Sequence, residues 1–304
     1  MKNFIYAIYL ILLLNHNQVF AQYTVKTNAN RTETLQHLVN TKGTYAALPK
    51  KQSGEIDYKK LIRELKDIHA NTYNWLDWGN VTGLEALKKF LPLAKKARIN
   101  VWITLVPPSE SPPFVTDYSE PFRLDYQKWA IELAKLSLVH ENLVAWSIDD
   151  FVHNLQLFTP TYVKQFLDTT RVINPKFAFI PCCYFKKITN EFVKNYGDLL
   201  DGILFPYRNE SVSANLKDAG QVTSEIKVLR AMFPPHFLIF LDVYATAHSS
   251  LGTSTPEYVE QVISSGLKSG DGTLIYCHQD PEKNPEKYKV IKEQFKKYHL
   301  NSSF

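Results

Sequence analysis

The feature that most constrains this chain is an eightfold alternation between two textures. Short runs rich in Val, Ile, Phe, Tyr and Trp occur at 44–49, 71–78, 99–107, 143–151, 177–185, 202–207, 237–245 and 272–278. Their length and composition suit buried strands. Between them lie helical patterns at 56–69, 84–98, 125–140, 160–173, 190–200, 222–233, 256–269 and 285–298. Tyr58, Leu61, Ile62, Leu65 and Ile68 show the three-and-four spacing of a helix with one core-facing stripe. Thr159-Pro160 and Thr255-Pro256 place a capping hydroxyl before a proline at the first helical position. Pro175 and Pro234-Pro235 stop helices before the next strand. Eight strand–helix units in about 255 residues predict an α/β fold, a single (β/α)8 TIM barrel over residues 43–300. A doubly wound open sheet usually has fewer units and often a glycine-rich phosphate loop after its first strand. Here that strand leads into Pro49-Lys50-Lys51-Gln52-Ser53-Gly54, which is no such loop.

The chain opens with Met1-Lys2-Asn3, an unbroken apolar run from Phe4 to Leu14, and Val19-Phe20-Ala21. A short positive start, an apolar stretch too short to span a bilayer and a small-residue cleavage site predict a secretory signal over 1–21. A polar leader over 22–42 then precedes the barrel, and the expected location is secreted or periplasmic. Removal of Lys2 with the signal takes the formal charge from +5 to +4. The lysines are spread along amphipathic helices, which argues for a solvated surface and against a nucleic-acid partner. No later run is apolar enough to anchor the chain in a membrane. Three cysteines are too few for a disulfide scaffold. Cys182 and Cys183 invite a vicinal bridge, or one of them a long-range bridge to Cys277; three buried thiols are the alternative. Asn30, Asn80, Asn209 and Asn301 each begin a glycosylation sequon, which matters only in a eukaryotic host.

In a barrel the C-terminal strand ends share one mouth, where catalytic groups collect. The fourth apolar run ends in Asp149-Asp150, two adjacent acids that would repel one another and need a compensating reason. The seventh run carries Asp242. These three are the candidate catalytic residues. Trp75, Asp77, Trp78, Tyr184, Tyr207, Arg208, Tyr244 and His278 stand at other strand ends and are the candidate substrate-binding residues. Aromatic faces stack on the apolar side of a pyranose while acids and amides hold its hydroxyls, so a carbohydrate substrate is expected. No cofactor is called for.

Neighbouring strand residues start toward opposite faces, so Asp149 and Asp150 do not readily flank a glycosidic bond as a separated acid and nucleophile, which sit about 5 Å apart in retaining enzymes. Substrate assistance suits neighbours better. There the acetamido group of an N-acetylhexosamine attacks its own anomeric carbon while one acid polarises the amide and the other protonates the leaving oxygen. The signal, the barrel and the doublet resemble a secreted TIM-barrel glycoside hydrolase, and the doublet is similar to that of glycoside hydrolase family 84, the O-GlcNAcase-like enzymes. That resemblance implies that Asp149 polarises the acetamido group and that Asp150 is the general acid/base. The Asn-Glu and Glu pattern common at the fourth and seventh strands of such barrels is replaced here by Asp149-Asp150 and Asp242. Acids across the mouth, with Asp242 or Asp77 opposite the doublet, would serve ordinary retention or inversion. Two other classes stay open: a non-catalytic carbohydrate-binding barrel, and a metal-dependent hydrolase using Asp77, Asp150, Asp242 and His278.

Overall fold

A computed structural model describes residue 31 and residues 33–300. The expected signal over 1–21 and residues 22–30 of the leader lie outside these residues. Of the stretch before residue 38, residues 33–35 are helical. From there on the chain forms an α/β barrel.

Its strands are β1 (Thr41–Tyr45), β2 (Thr72–Asp77), β3 (Asn100–Leu105), β4 (Leu143–Ile148), β5 (Ala178–Phe179), β6 (Gly202–Pro206), β7 (Leu238–Tyr244) and β8 (Gly272–Tyr276). All pair in parallel, in the order β5-β4-β3-β2-β1-β8-β7-β6. A bridge between Cys182 and Leu204 joins the continuation of β5 to β6 and closes the ring. The helices are α1 (Tyr58–Asp67), α2 (Leu84–Lys96), α3 (Tyr126–Val139), α4 (Pro160–Ile173), α5 (Asn190–Tyr196), α6 (Val222–Met232), α7 (Pro256–Ser269) and α8 (Pro285–Leu300). The expected caps are present: Thr159 accepts from Tyr162 N and Thr255 from Tyr258 N, each ahead of a proline. Among the described residues no helix is long and apolar enough to cross a membrane.

Two strands depart from the sequence reading. The first begins at Thr41, inside the expected leader, and ends at Tyr45 instead of Pro49. Ala46 and Ala47 adopt φ of 56° and 43°, the left-handed region, which turns the chain out of the ladder despite its apolar texture. The fifth holds only two ladder residues. Pro181 has no N–H to offer β6, and Phe179 N donates instead to Asp201 Oδ2 at 2.8 Å, so regular pairing with β6 is limited to Leu204, which donates to Pro181 O and accepts from Cys183 N, both at 2.9 Å.

The alternation of strand side chains creates two apolar layers. Inside the ring, Trp102 of β3 meets Phe240 of β7 edge-on at 4.8 Å, and Thr104 donates to Asn74 at 2.9 Å. Outside it, Trp75, Ile103, Trp146, Phe205 and Leu241 pack against helix residues such as Leu61, Phe90, Leu133, Phe166 and Ile226. A methyl group at Gly266 of α7 would lie 2.4 Å from Leu241 Cδ2, so glycine is what lets that helix sit on β7.

The N-terminal end of the barrel carries a repeated clamp. Asp201 and Asp271 each precede the glycine that opens a strand. Asp201 accepts Phe179 N and pairs with Arg171 of α4 at 3.0 Å. Asp271 accepts Ile239 N at 2.7 Å and pairs with Arg230 of α6 at 2.5 Å. This end is fastened and leaves the other free for chemistry.

Candidate active site

At the tip of β4 the ladder runs one residue past the strand, with Asp149 N donating to Leu105 O at 3.0 Å. Asp150 then adopts φ 45° and ψ 32°. This left-handed residue breaks the strand alternation, and both carboxylates line the same cavity at the C-terminal mouth, about 380 Å³ in volume. Asp150 N donates to Asp149 Oδ1 at 3.0 Å, which fixes their relative placement. Asn154 secures the turn: its side-chain amide donates to Asp150 O at 2.9 Å, and its carbonyl accepts Ser109 N at 3.0 Å from the loop after β3.

Four carboxyls face this cavity, those of Glu110, Asp149, Asp150 and Asp242. Their environments differ. Tyr184 Oη donates to Asp150 Oδ1 at 2.5 Å, and His153 Nδ1 stands 3.5 Å from the other oxygen. Asp149 sits deeper beside Cys182; burial, and then the charge of Asp150, raise its pKa to about 6. Asp242 is almost wholly enclosed, and burial pushes it to about 8 against the opposing hydrogen bond from Tyr45 Oη, 2.8 Å. Its Oδ1 has no hydrogen-bond partner among the described residues, an acceptor whose desolvation is otherwise uncompensated. Glu110, half-buried on a turn after β3, is raised to about 7 by burial and then by Asp149 and Asp150. Near neutral pH the cavity therefore presents both protonated and ionised carboxyls.

Aromatic and cationic groups complete the wall. Tyr45 and Tyr276 pack at 5.0 Å, and Tyr244 meets Tyr276 edge-on at 5.5 Å. The Arg208 guanidinium lies 4.0 Å over the Tyr184 ring and is held by Glu210 through an ion pair. A short hairpin, Ala247–His248 with Gly252–Thr253, brings His248 and Ser249 to the rim.

Of the residues expected at the site, Asp149, Asp150, Asp242, Tyr184, Arg208 and Tyr244 are brought together. Trp75, Asp77, Tyr207 and His278 are not among the residues lining the cavity. Trp75, Asp77 and Tyr207 each sit one residue out of phase with an inward neighbour and turn away from the barrel axis, while His278, beyond the end of β8, turns toward α1. Trp75 packs on Phe90 at 5.3 Å and donates to Thr82 O. Asp77 accepts Glu120 N at 3.2 Å, and burial raises it to about 8. Tyr207 donates to Asp218 O and lies over Tyr258. His278 is buried between Thr44 Oγ1 at 2.9 Å and Glu64 Oε2 at 3.1 Å. Trp78 lines a separate cleft. Asp77 and His278 thus stand apart from Asp150 and Asp242, and the foursome considered for a metal is not assembled. A tighter trio, Asp149, Asp150 and Cys182, has ligand atoms within 4.8 Å of one another. All three cysteines are free thiols. Glu110 went unread in the sequence; the signal was an acid in the rigid stretch Pro107-Pro108-Ser109-Glu110, directly after a strand tip.

No family model matches the sequence, and no curated protein matches it. Solved structures do match in fold. A glucosidase from Croceicoccus marinus is 9% identical, with a TM-score of 0.58 over 85% of this chain and 68% of that one. A β-glucuronidase from an uncultured Clostridium is 13% identical, with a TM-score of 0.56 over 85% and 50%. A family 39 glycoside hydrolase from the gut symbiont Bacteroides cellulosilyticus WH2 is 11% identical, with a TM-score of 0.55 over 85% and 64%. The chain spans between half and about two thirds of the length of these three proteins. At such identities the likeness is one of architecture: this chain has the TIM-barrel fold that those glycosidases have.

Proposed function

We propose that the protein is a glycosidase that cleaves an O-glycosidic bond with carboxyl groups at its strand tips. The observation that carries this reading is the convergence of four carboxyls on one aromatic-walled cavity, where burial raises the proton affinity of Glu110, Asp149 and Asp242 to different extents. Glycoside hydrolysis needs a protonated carboxyl at the leaving oxygen and an anion beside the developing oxocarbenium centre. The Asp149-Asp150 doublet supplies the anionic side, with Asp150 held by Tyr184. Glu110, open at one edge to water and able to regain a proton after each turnover, is assigned the proton transfer. Asp242, protonated and linked to Tyr45, holds a sugar hydroxyl. The glycosidase neighbours in fold support the class.

Within that class the left-handed turn at Asp150 favours substrate assistance on N-acetylhexosaminides, because it brings both acids to one side of a bound sugar. The doublet would then orient and polarise the acetamido group while it attacks the anomeric carbon. Export from the cell is part of the same proposal and rests on residues 1–21.

The test is a panel of 4-nitrophenyl glycosides of glucose, galactose, glucuronic acid and N-acetylglucosamine, assayed on the wild type, Asp149→Asn and Asp150→Asn. We expect hydrolysis of the N-acetylated substrate alone, reduced by about 10²-fold or more in each variant. Turnover of plain hexosides would replace substrate assistance with acids acting across the mouth. Binding of sugars with no cleavage by any form would make the barrel a carbohydrate-binding protein. Loss of activity on chelation, restored by added metal, would favour the metal-dependent reading.

A further inference from the structure

A second cleft opens beside the acidic cavity, between the loop from β1 to α1 and the loop from β2 to α2. Its volume is about 390 Å³. Leu48, Ile56, Tyr73, Leu76, Trp78 and Val81 form most of its wall, Lys50 and Thr82 add polar atoms, and no carboxyl faces it. The two spaces share no lining residue but border the same strand tip: Tyr45 lines the acidic cavity, and Ala46, the next residue, lines the cleft.

The cleft is held open by its own hydrogen bonds. Tyr73 Oη donates to Ala46 O at 3.2 Å and pins the left-handed turn on one side. On the other side Trp78 N donates to Thr82 Oγ1 at 2.8 Å, that hydroxyl donates back to Trp78 O at 2.9 Å, and Trp75 Nε1 donates to Thr82 O at 2.6 Å. Trp78 therefore presents its ring from a fixed turn, which limits the ordering cost of placing a flat group against it. The other four tryptophans are fully buried, and Val81 at the edge is 58% exposed. A half-buried indole and an exposed valine over a preformed apolar recess are what an apolar-faced ligand uses.

We infer that this cleft is the leaving-group subsite, and that the substrate carries an apolar-faced aglycone, an aryl ring or the face of a second sugar. The inference rests on the proposed glycosidase activity. A sugar in the acidic cavity presents its anomeric substituent toward the β1 tip, and the recess beyond receives it. Methyl and fluoride leaving groups offer such a recess almost no apolar surface, whereas aryl and glycosyl groups present a face to it.

Steady-state kinetics on the wild type, Trp78→Ala, Trp78→Phe and Val81→Asp test this, with an aryl glycoside, a disaccharide and the glycosyl fluoride of the sugar that the wild type cleaves. We expect Trp78→Ala and Val81→Asp to raise KM for the aryl glycoside by roughly tenfold, the scale of one lost aromatic contact. Trp78→Phe should restore most of it, and KM for the fluoride should stay within twofold throughout. An equal effect on the disaccharide assigns the recess to a second sugar; a smaller one assigns it to aryl groups. Unchanged aryl KM in both Trp78→Ala and Val81→Asp, or an equal rise for the fluoride, overturns the inference. Should no glycoside be cleaved, the activity fails separately, and the cleft is judged by binding. Phenyl and methyl 1-thio-glycosides of glucose and N-acetylglucosamine are titrated while tryptophan fluorescence is followed. A phenyl preference of about tenfold that Trp78→Ala abolishes supports an apolar-group subsite; equal binding of phenyl and methyl forms, or none, overturns it.

Discussion

A single backbone angle decides what the acid doublet can do. With Asp150 in an extended conformation, its carboxylate would leave the cavity that Asp149 faces; at φ 45° it returns to that cavity and meets Tyr184. The cost of a left-handed non-glycine residue, of order 1 kcal/mol, is offset by the Asn154 amide bound to Asp150 O. Glu110 shows the complementary case, a residue whose chemistry comes from its surroundings. Among the described residues its carboxyl has no ion pair, and burial beside two acids holds its proton to about pH 7. As proton donor it is competent below that pH and spent above it. Wild-type kcat/KM should therefore fall as pH rises through about 7. In Glu110→Gln that limb should flatten, and turnover should drop by roughly 10²-fold on aglycones that need protonation and little on activated ones. A profile on a full panel of leaving groups checks this. An unshifted alkaline limb in the variant would return the proton transfer to the aspartates.

At the scale of the element, the chain states its strands and helices plainly but not their phase. Pattern and punctuation give eight strands and eight helices because burial imposes periods of two and 3.6 on apolar residues. Which member of each strand-end pair turns inward depends on where the ladder starts and stops. Pro206 lines the cavity and Tyr207 does not; Tyr276 does and Cys277 does not. Trp75 and Asp77 were misplaced for the same reason, since outward positions on a barrel strand are as buried as inward ones. Asp149, Asp150 and Asp242 were legible because acids at the end of an apolar run have few structural uses. The Asp-Gly clamps were passed over because each reads as an ordinary turn. Removing Asp201 strands Phe179 N and takes the carboxylate from Arg171, which among the described residues keeps only the carbonyl of Leu199. Asp201→Ala should cost about 3 kcal/mol in a denaturant titration, while Asp201→Asn, which keeps the acceptor, should cost clearly less. Both should leave KM unaltered, because the clamp lies at the end of the barrel opposite the mouth. A matching change in KM would mean that the two ends are coupled.

Across the whole molecule the barrel separates its strength from its chemistry, and the separation has a signature in pH. The exposed acids Glu55, Asp67 and Glu141 and the half-buried Asp280 have their pKa lowered, chiefly by hydrogen bonds from lysine, and they stabilise the fold once ionised. That contribution is present above the unfolded carboxyl pKa near 4 and is lost as pH falls through the folded values. The buried acids act in the opposite sense. Asp77 and Asp242 are raised to about 8 and Asp149 to about 6, so the folded state binds protons that the unfolded chain releases. Their stabilising share is complete below pH 4 and declines as pH climbs toward the folded values, after which it is level. The two trends cross, and maximum stability is expected between about pH 4 and pH 6, with Tm falling steadily from there to pH 8.5. Asp77 separates this effect from catalysis, because it does not line the acidic cavity and keeps its Oδ1 on Glu120 N while Oδ2 lies unpartnered. Asp77→Asn retains an acceptor there and removes the buried charge. Its Tm should match the wild type at pH 5, exceed it at pH 8.5, and leave glycoside turnover unchanged. Calorimetry across that range decides the matter: a variant curve parallel to the wild type at every pH would show that Asp77 titrates no differently in the folded and unfolded chain.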